Sequence, residues 1–203
     1  MPDEQEQRPD HKRSTKSEFD FIDALRQRAG FAGQSLVAGI GDDAAVLRST
    51  PGKETVITAD LLVEDIDFRR TTTPPYLLGH KALAVSLSDI AAMGARPLWS
   101  MVSIGVPEDV WQTDFVERLY GGLLDLANRY GVRLIGGDTS RTNERIVIDS
   151  IVSGECAAGM AVMLCAAAGG VDAVHRRQRG FARRQVQQHL AGALAPARWH
   201  PDR

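Results

Sequence analysis

A chain of 203 residues, 43% hydrophobic and 25% charged, with a formal net charge of -2, has the makeup of an ordinary globular protein. It is long enough for one substantial core, or one domain and part of a second, which excludes a mini-protein. The near-neutral balance excludes global attraction to nucleic acid or an anionic membrane, so any polyanion must be met locally.

Residues 1–17 are polar and charge-rich without an apolar period, and are expected to form a disordered lead-in. They lack the apolar core of a signal peptide, and no apolar run in the chain approaches the roughly 20 residues that span a bilayer. The expected location is the cytoplasm, with neither membrane nor nucleic acid as partner. The fold begins near Ser17. "SEFDFIDALRQRAG" has a capping serine, early acids, late arginines and a closing Gly30, with Phe21, Ile22 and Leu25 at helical spacing, which predicts a short amphipathic helix.

Two extended segments follow, "LVAGIGDDAAVL" and "ETVITADLLVEDIDF", joined through a Pro51-Gly52 turn and expected to be neighbouring strands. The stretch 76–93 carries Leu83, Leu87 and Ile90 as an apolar stripe and ends at Gly94, where a left-handed cap belongs. "PLWSMVSIGV" reads as a strand, residues 108–130 as one long helix with Phe115, Leu119, Leu123 and Leu126 on one side, and "VRLIGGD" and "RIVIDSIVSGE" as two more strands. The predicted class is a layered α/β (α+β) domain, a mixed β-sheet with helices packed on one face.

The texture breaks after Gly154. Residues 155–203 carry seven arginines, no lysine, three acids, three of the five histidines and both cysteines. Residues 156–203 are expected to be an aberrant, poorly structured tail rather than a nucleic-acid-binding one. Cys156 and Cys165 have neither zinc spacing nor a secretory context, and no disulfide or metal site is read from them.

Acids recur in four short segments: Asp42 and Asp43 after Gly39 and Gly41; Asp60 in "TAD", followed by Glu64, Asp65 and Asp67; Asp89 in "SLSDIAAMGA"; and Asp138 in "IGGDTSR". Singly, each is explained by a turn, a cap or a solvated helix face. Together, carboxylates at the ends or interiors of apolar strands would repel and protonate unless a cation joined them. All-oxygen donors, with hydroxyls such as Thr58, Thr139 and Ser140 in support, suit magnesium, and no Cys/His pair stands at zinc spacing. Magnesium bridges carboxylates to phosphates, so the set points to phosphoryl or nucleotidyl chemistry. The rival fingerprint, Gly39-x-Gly41-x-x-Ala44 with Asp60 downstream, opens no helix, and no Walker A pattern is present.

In order, "GIGDDAAVL", "TADLLVEDIDF", "GHKALAVSLSDIAAMGARPLWSMVSIGVP" and "LIGGDTSR" resemble thiamine-monophosphate kinase, of the superfamily that includes aminoimidazole-ribonucleotide synthetase, over residues 19–155. The resemblance implies that family's N-terminal domain at 18–155, transfer of the ATP γ-phosphate to thiamine monophosphate, and a homodimer whose N-terminal domains pair through their sheets. It implies Asp43, Thr58, Asp60, Asp89 and Asp138 as magnesium ligands, with Asp42 in support, and Tyr120, Gly121, Gly137 and Asp138 at ATP. The transfer it implies is direct, with no covalent enzyme intermediate. Asp67 occupies a substrate-contacting position where the family usually has histidine, and an acid there repels a substrate phosphate unless a metal intervenes. Alternatives are another enzyme of the superfamily, of aminoimidazole-ribonucleotide or selenophosphate synthetase type, or a silent dimerisation or metal-binding module. The break near Glu155 is expected to mark a truncated or frameshifted form with weak or no kinase activity.

Overall fold

The computed structural model describes residues 17–29 and 35–162; the expectations for residues 1–16, Gly30, Cys165 and the rest of the arginine-rich stretch lie outside them. Helix α1 (Glu18–Ala29) opens the fold. Strands β1 (Leu36–Ala38) and β2 (Val46–Leu47) pair antiparallel as a two-stranded sheet. Then come β3 (Lys53–Val63), α2 (Pro75–Ala92), β4 (Arg96–Pro107), the single turn α3 (Glu108–Trp111), α4 (Phe115–Tyr130), β5 (Arg133–Thr142) and β6 (Val147–Ala157). The last four strands to form a sheet stand in the order β3-β6-β4-β5, with β6 antiparallel to both neighbours and β4 parallel to β5.

Two expectations are corrected. "LVAGIGDDAAVL" is not a strand beside β3: it folds back on itself, because Gly41 at φ +110 reverses the chain and the Asp42 N–H bonds the Gly39 carbonyl at 3.2 Å. Its ends therefore pair with each other, while β3 pairs with β6, and Asp42 and Asp43 sit in a turn rather than on a strand. Residues 108–130 are not one helix either. The Thr113 hydroxyl donates to the Val110 carbonyl at 2.7 Å and accepts from the Phe115 N–H at 3.2 Å, so this side chain competes for backbone bonds and divides α3 from α4.

Pleating decides which side of each strand is covered. In β6 the even positions, such as Ile148, Ser150, Val152 and Cys156, are buried and the odd ones only half-buried. In β3 the inward set is Val56, Thr58, Asp60 and Leu62, and in β4 it is Val102, Ile104 and Val106. Facing them, α2 contributes Leu78, Ala82, Leu83 and Ile90, and α4 contributes Val116, Leu119, Leu123 and Leu126. The opposite face is less covered among the described residues: Ile57 and Leu61 are 67% and 60% exposed, while Met101 and Ile151 are half-buried. Phe21 and Leu25 seat α1 on the core, with the Phe21 ring edge-on to Trp111 and Tyr120 at centroid distances of 5.5 and 5.3 Å. Strand β6 runs through Glu155 to Ala157, three residues past the compositional break after Gly154.

His80 on α2 makes the domain's stability depend on pH. Burial, aided by the nearby Arg129 charge, lowers its pKa below the usual 6.5. The unfolded chain thus takes up this proton at higher pH than the folded one, so stability that is full above about pH 6.5 declines as the pH falls through the folded-state value. Urea unfolding between pH 7.5 and 5.5 is expected to show that slope in the native chain and a flatter one in His80→Asn; identical slopes refute the assignment.

Candidate magnesium and nucleotide site

The turn that reverses at Gly41 presents Asp42 and Asp43 to solvent between β1 and β2. Across from it, Gly137 pairs with Val102 in the β4–β5 ladder at φ +147, and a Cβ there would lie 2.0 Å from the Val102 carbonyl oxygen. Only glycine fits both the conformation and the contact. The next residue is Asp138, exposed at the edge of the sheet. Behind it, buried Tyr120 points its hydroxyl at the Val102 carbonyl, 3.5 Å away. Burial, and then the Asp138 charge, push this phenol well above its ordinary range, so it stays a neutral hydroxyl.

These residues converge. A cavity of about 450 Å³ is lined by Asp42, Asp43, Tyr120, Gly137 and Asp138 and walled on one side by Arg26 of α1. A second, of about 480 Å³ on the less covered face of the sheet, shares Asp42, Asp43, Gly137 and Asp138 and adds the apolar Trp99, Met101 and Ile151.

The remaining acids form a separate group on the helix-facing side. Thr58 Oγ1 donates to Asp89 Oδ2 at 3.1 Å. Ser86 Oγ lies 2.7 Å from Asp60 Oδ2, 3.0 Å from the Ser150 carbonyl and 3.1 Å from Ser150 Oγ; its single proton goes to the carboxylate, the charged and nearest acceptor. The register runs Asp60, Ser150, Val102, Gly137 across the sheet. Asp60 and the Gly137–Asp138 corner are therefore on opposite outer strands, three strand spacings or about 14 Å apart. Among the described residues no three His, Cys, Asp or Glu side chains gather as a metal-binding group. The predicted ligands divide into Asp43 with Asp138, and Thr58 with Asp60 and Asp89.

Asp67 is tied into its own turn, its carboxylate accepting the Val63 N–H at 2.8 Å while the Asp67 N–H donates to the Val63 carbonyl at 2.9 Å. Gly121 faces Tyr76 and Arg28, with a would-be Cβ 3.8 Å from Tyr76 Cδ2. Sequence reasoning passed over Ser86 and Arg26. Ser86 stands three residues before Asp89 in "SLSD", which puts both on one helical face. Arg26 was absorbed by the ordinary basic end of a helix.

A mixed four-stranded sheet with helices against one face, and two glycine-aspartate corners opening on one cavity, defines an α/β domain with its candidate ligand cavity at the loops beside the outer strand β5. The model of the family described as AIR synthase related protein, N-terminal domain, matches residues 41–162, and the chain belongs to that family. It is similar to the thiamine-monophosphate kinase of Bacillus subtilis (strain 168), 39% identical over 146 residues that make up 72% of this chain and 44% of that one. Among solved structures it is similar to thiamine-monophosphate kinase from Stenotrophomonas maltophilia K279a, with 36% identity and a TM-score of 0.60 over 72% of this chain and 44% of that chain. AaThiL complexed with AMPPCP and TMP superposes with 32% identity and a TM-score of 0.50, covering 69% of this chain and 42% of that one. The chain thus spans less than half the length of these relatives.

Proposed function

We propose that this chain supplies the ATP- and magnesium-binding N-terminal part of a thiamine-monophosphate kinase, which moves the γ-phosphoryl group of ATP to a phosphate oxygen of thiamine monophosphate and leaves ADP and thiamine diphosphate. The observation that carries the reading is the convergence of Asp42, Asp43, Tyr120, Gly137 and Asp138 on one cavity, in a chain whose relatives include AaThiL complexed with AMPPCP and TMP.

The donor chemistry fits magnesium. That ion is commonly held by one or two carboxylates, with water and substrate phosphates completing its shell, and paired Asp43 and Asp138 match this better than a closed cage would. Thr58, Asp60 and Asp89 are the proposed second set of ligands, with Asp60 held by Ser86 and Asp89 by Thr58. Held by these carboxylates, magnesium would supply neutralisation of the phosphate charge. The chain's own groups do the rest. Gly137 lets the backbone close on the nucleotide, Tyr120 forms the buried wall behind it as a neutral hydroxyl, and Gly121 keeps the α4 surface beside Tyr76 and Arg28 bare for the nucleotide. The acids repel a bare polyphosphate, which makes nucleotide binding conditional on the cation. Asp67, whose carboxylate closes its turn, is assigned to shaping the substrate-side loop.

The less covered sheet face, where Ile57 and Leu61 are exposed, supports pairing of two copies through their sheets. A cytoplasmic setting, where ATP is abundant, suits this chemistry. The test is binding of AMPPCP to the 203-residue chain, read by calorimetry and thermal shift with magnesium or with EDTA. Stabilisation is expected only with magnesium, amounting to about 2.7 kcal/mol at a hundredfold excess over Kd. Asp43→Asn and Asp138→Asn should each weaken binding about tenfold or more by removing a charged ligand. Equal binding with and without magnesium, or unaffected variants, would overturn the reading.

A further inference from the structure

We infer that Arg26 is a phosphate-contacting residue of this site, reaching from α1 to the terminal phosphates of a magnesium-bound nucleoside polyphosphate; the inference rests on the nucleotide reading proposed above. Three features carry it. The first is placement: Arg26 lines the same cavity of about 450 Å³ as Asp42, Asp43 and Asp138. The second is proximity to the acidic turn. A Cβ on Gly41 would stand 3.1 Å from Arg26 Nη1, 3.4 Å from Cζ and 3.7 Å from Cδ, so the guanidinium lies along the bare face of the glycine that precedes the two aspartates. Any side chain at 41 would push it away.

The third is charge. The other ionisable carboxylates lining the cavity are Glu18, Asp23, Asp42, Asp43 and Asp138, and Arg26 is the one cationic side chain among the described residues there. Carboxylates can meet a polyphosphate only through a cation, whereas a guanidinium meets phosphate oxygens directly, with a fixed fork of N–H donors that matches their spacing. The side chain is also pre-positioned. Phe21 packs edge-on against Trp111 and Tyr120 and Leu25 is buried beside it on α1, so the carrier helix is fixed to the wall formed by the nucleotide-side tyrosine. A direct contact at the far end of the ligand should separate nucleotides by phosphate number, a discrimination that the acids alone do not provide.

The bland roles for Arg26 are a charge at a helix C-terminus, or a counter-ion to Asp42 and Asp43 when no metal is bound. They predict different results. Calorimetric titrations of the 203-residue chain and of Arg26→Ala, Arg26→Lys and the remote Arg118→Ala, each with magnesium-AMPPCP, magnesium-ADP, AMP and magnesium alone, decide among them. We expect Arg26→Ala to weaken AMPPCP about ten- to hundredfold and AMP hardly at all, Arg26→Lys to recover part of the loss, and Arg118→Ala to match the native chain. Matched thermal unfolding of Arg26→Ala and the native chain is expected, because the apolar anchors of α1 are untouched. Unchanged AMPPCP affinity in Arg26→Ala overturns the inference. So does an equal loss for AMP and AMPPCP, a comparable loss in Arg118→Ala, or tighter binding of magnesium alone with unaltered nucleotide affinity, the mark of a counter-ion. If the native chain binds no nucleotide, the reading of the site falls, and this inference falls with it; if it binds and Arg26→Ala binds equally, only the inference falls.

Discussion

Replacing Gly79 or Gly122 with alanine is expected to cost about 3 kcal/mol of folding stability, although each change improves intrinsic helix propensity by about 1 kcal/mol. Helices α2 and α4 cross so closely that a Cβ on Gly79 would lie 1.7 Å from the Leu119 carbonyl oxygen and 3.1 Å from the Leu123 nitrogen. Reciprocally, a Cβ on Gly122 would lie 1.8 Å from the Tyr76 carbonyl oxygen. Both obstacles are backbone, which cannot swing aside as a side-chain tip can, so the helices themselves must separate. Separation loosens Leu78, Leu83, Leu119 and Leu123, all fully buried around the crossing. Urea denaturation of each variant should show a lowered midpoint at unchanged slope. The double variant should lose less than the sum of the singles, because one separation relieves both clashes. Single variants as stable as the native chain, or more so, would show that propensity wins and that the crossing yields cheaply.

The same glycines show how far the fold was legible in the chain. Apolar stripes at helical spacing gave away α2 and α4, and "PLWSMVSIGV" and "RIVIDSIVSGE" announced β4 and β6, because burial on one face writes a period into the residues. Nothing in a period reveals that Gly79 meets the α4 backbone at Leu119 and Leu123, or that Gly122 meets the α2 backbone at Tyr76. Nor does it reveal that an apolar stretch containing Gly39 and Gly41 returns on itself, since "LVA" and "AVL" read as extended either way and the reversal depends on one positive φ. Thr113 divided a helix through its hydroxyl, a local competition that apolar spacing cannot register.

The candidate site was legible in its residue types and less so in its grouping. Glycine-aspartate corners carry a chemical signature wherever they fall, so Asp43 and Asp138 could be singled out in advance. Which acids meet depends on strand order, and β6 inserts between β3 and β4, setting Asp60 far from Asp138 within one copy. Ser86 and Ser150 interrupt the apolar core because Asp60 faces inward and needs a donor there.

Arg70→Ala is expected to destabilise the domain by about 3 kcal/mol, and Glu64→Gln by clearly less. Glu64 closes β3 with a carboxylate only 4% exposed, and both of its oxygens are taken: Oε1 by Arg70 Nε at 2.6 Å and Oε2 by the Ile146 N–H at 2.9 Å. Its own N–H donates to the Ile146 carbonyl at 3.0 Å, so this one residue joins the end of β3 to the entry of β6. Removing Arg70 leaves a buried negative charge with one neutral donor. Removing the charge of Glu64 instead strands a guanidinium that is 29% exposed, still bonded to the Glu144 carbonyl and able to reach water. The cost therefore falls mainly on the carboxylate side, and an apolar pair, Glu64→Leu with Arg70→Met, should recover much of what Arg70→Ala loses, because it removes the buried charge as well as its partner. Urea unfolding of the four chains measures this, and a loss below about 1 kcal/mol in Arg70→Ala would mean that the pair is held in solvent-like surroundings. Magnesium-AMPPCP affinity separates this effect from damage to the proposed site. The clamp secures residues 64–70, including the Asp67 turn, while Asp43, Gly137 and Asp138 hang on β1, β2 and β5. Arg70→Ala should thus lower the unfolding midpoint and leave nucleotide binding to the folded chain within about twofold, a change of less than 0.5 kcal/mol.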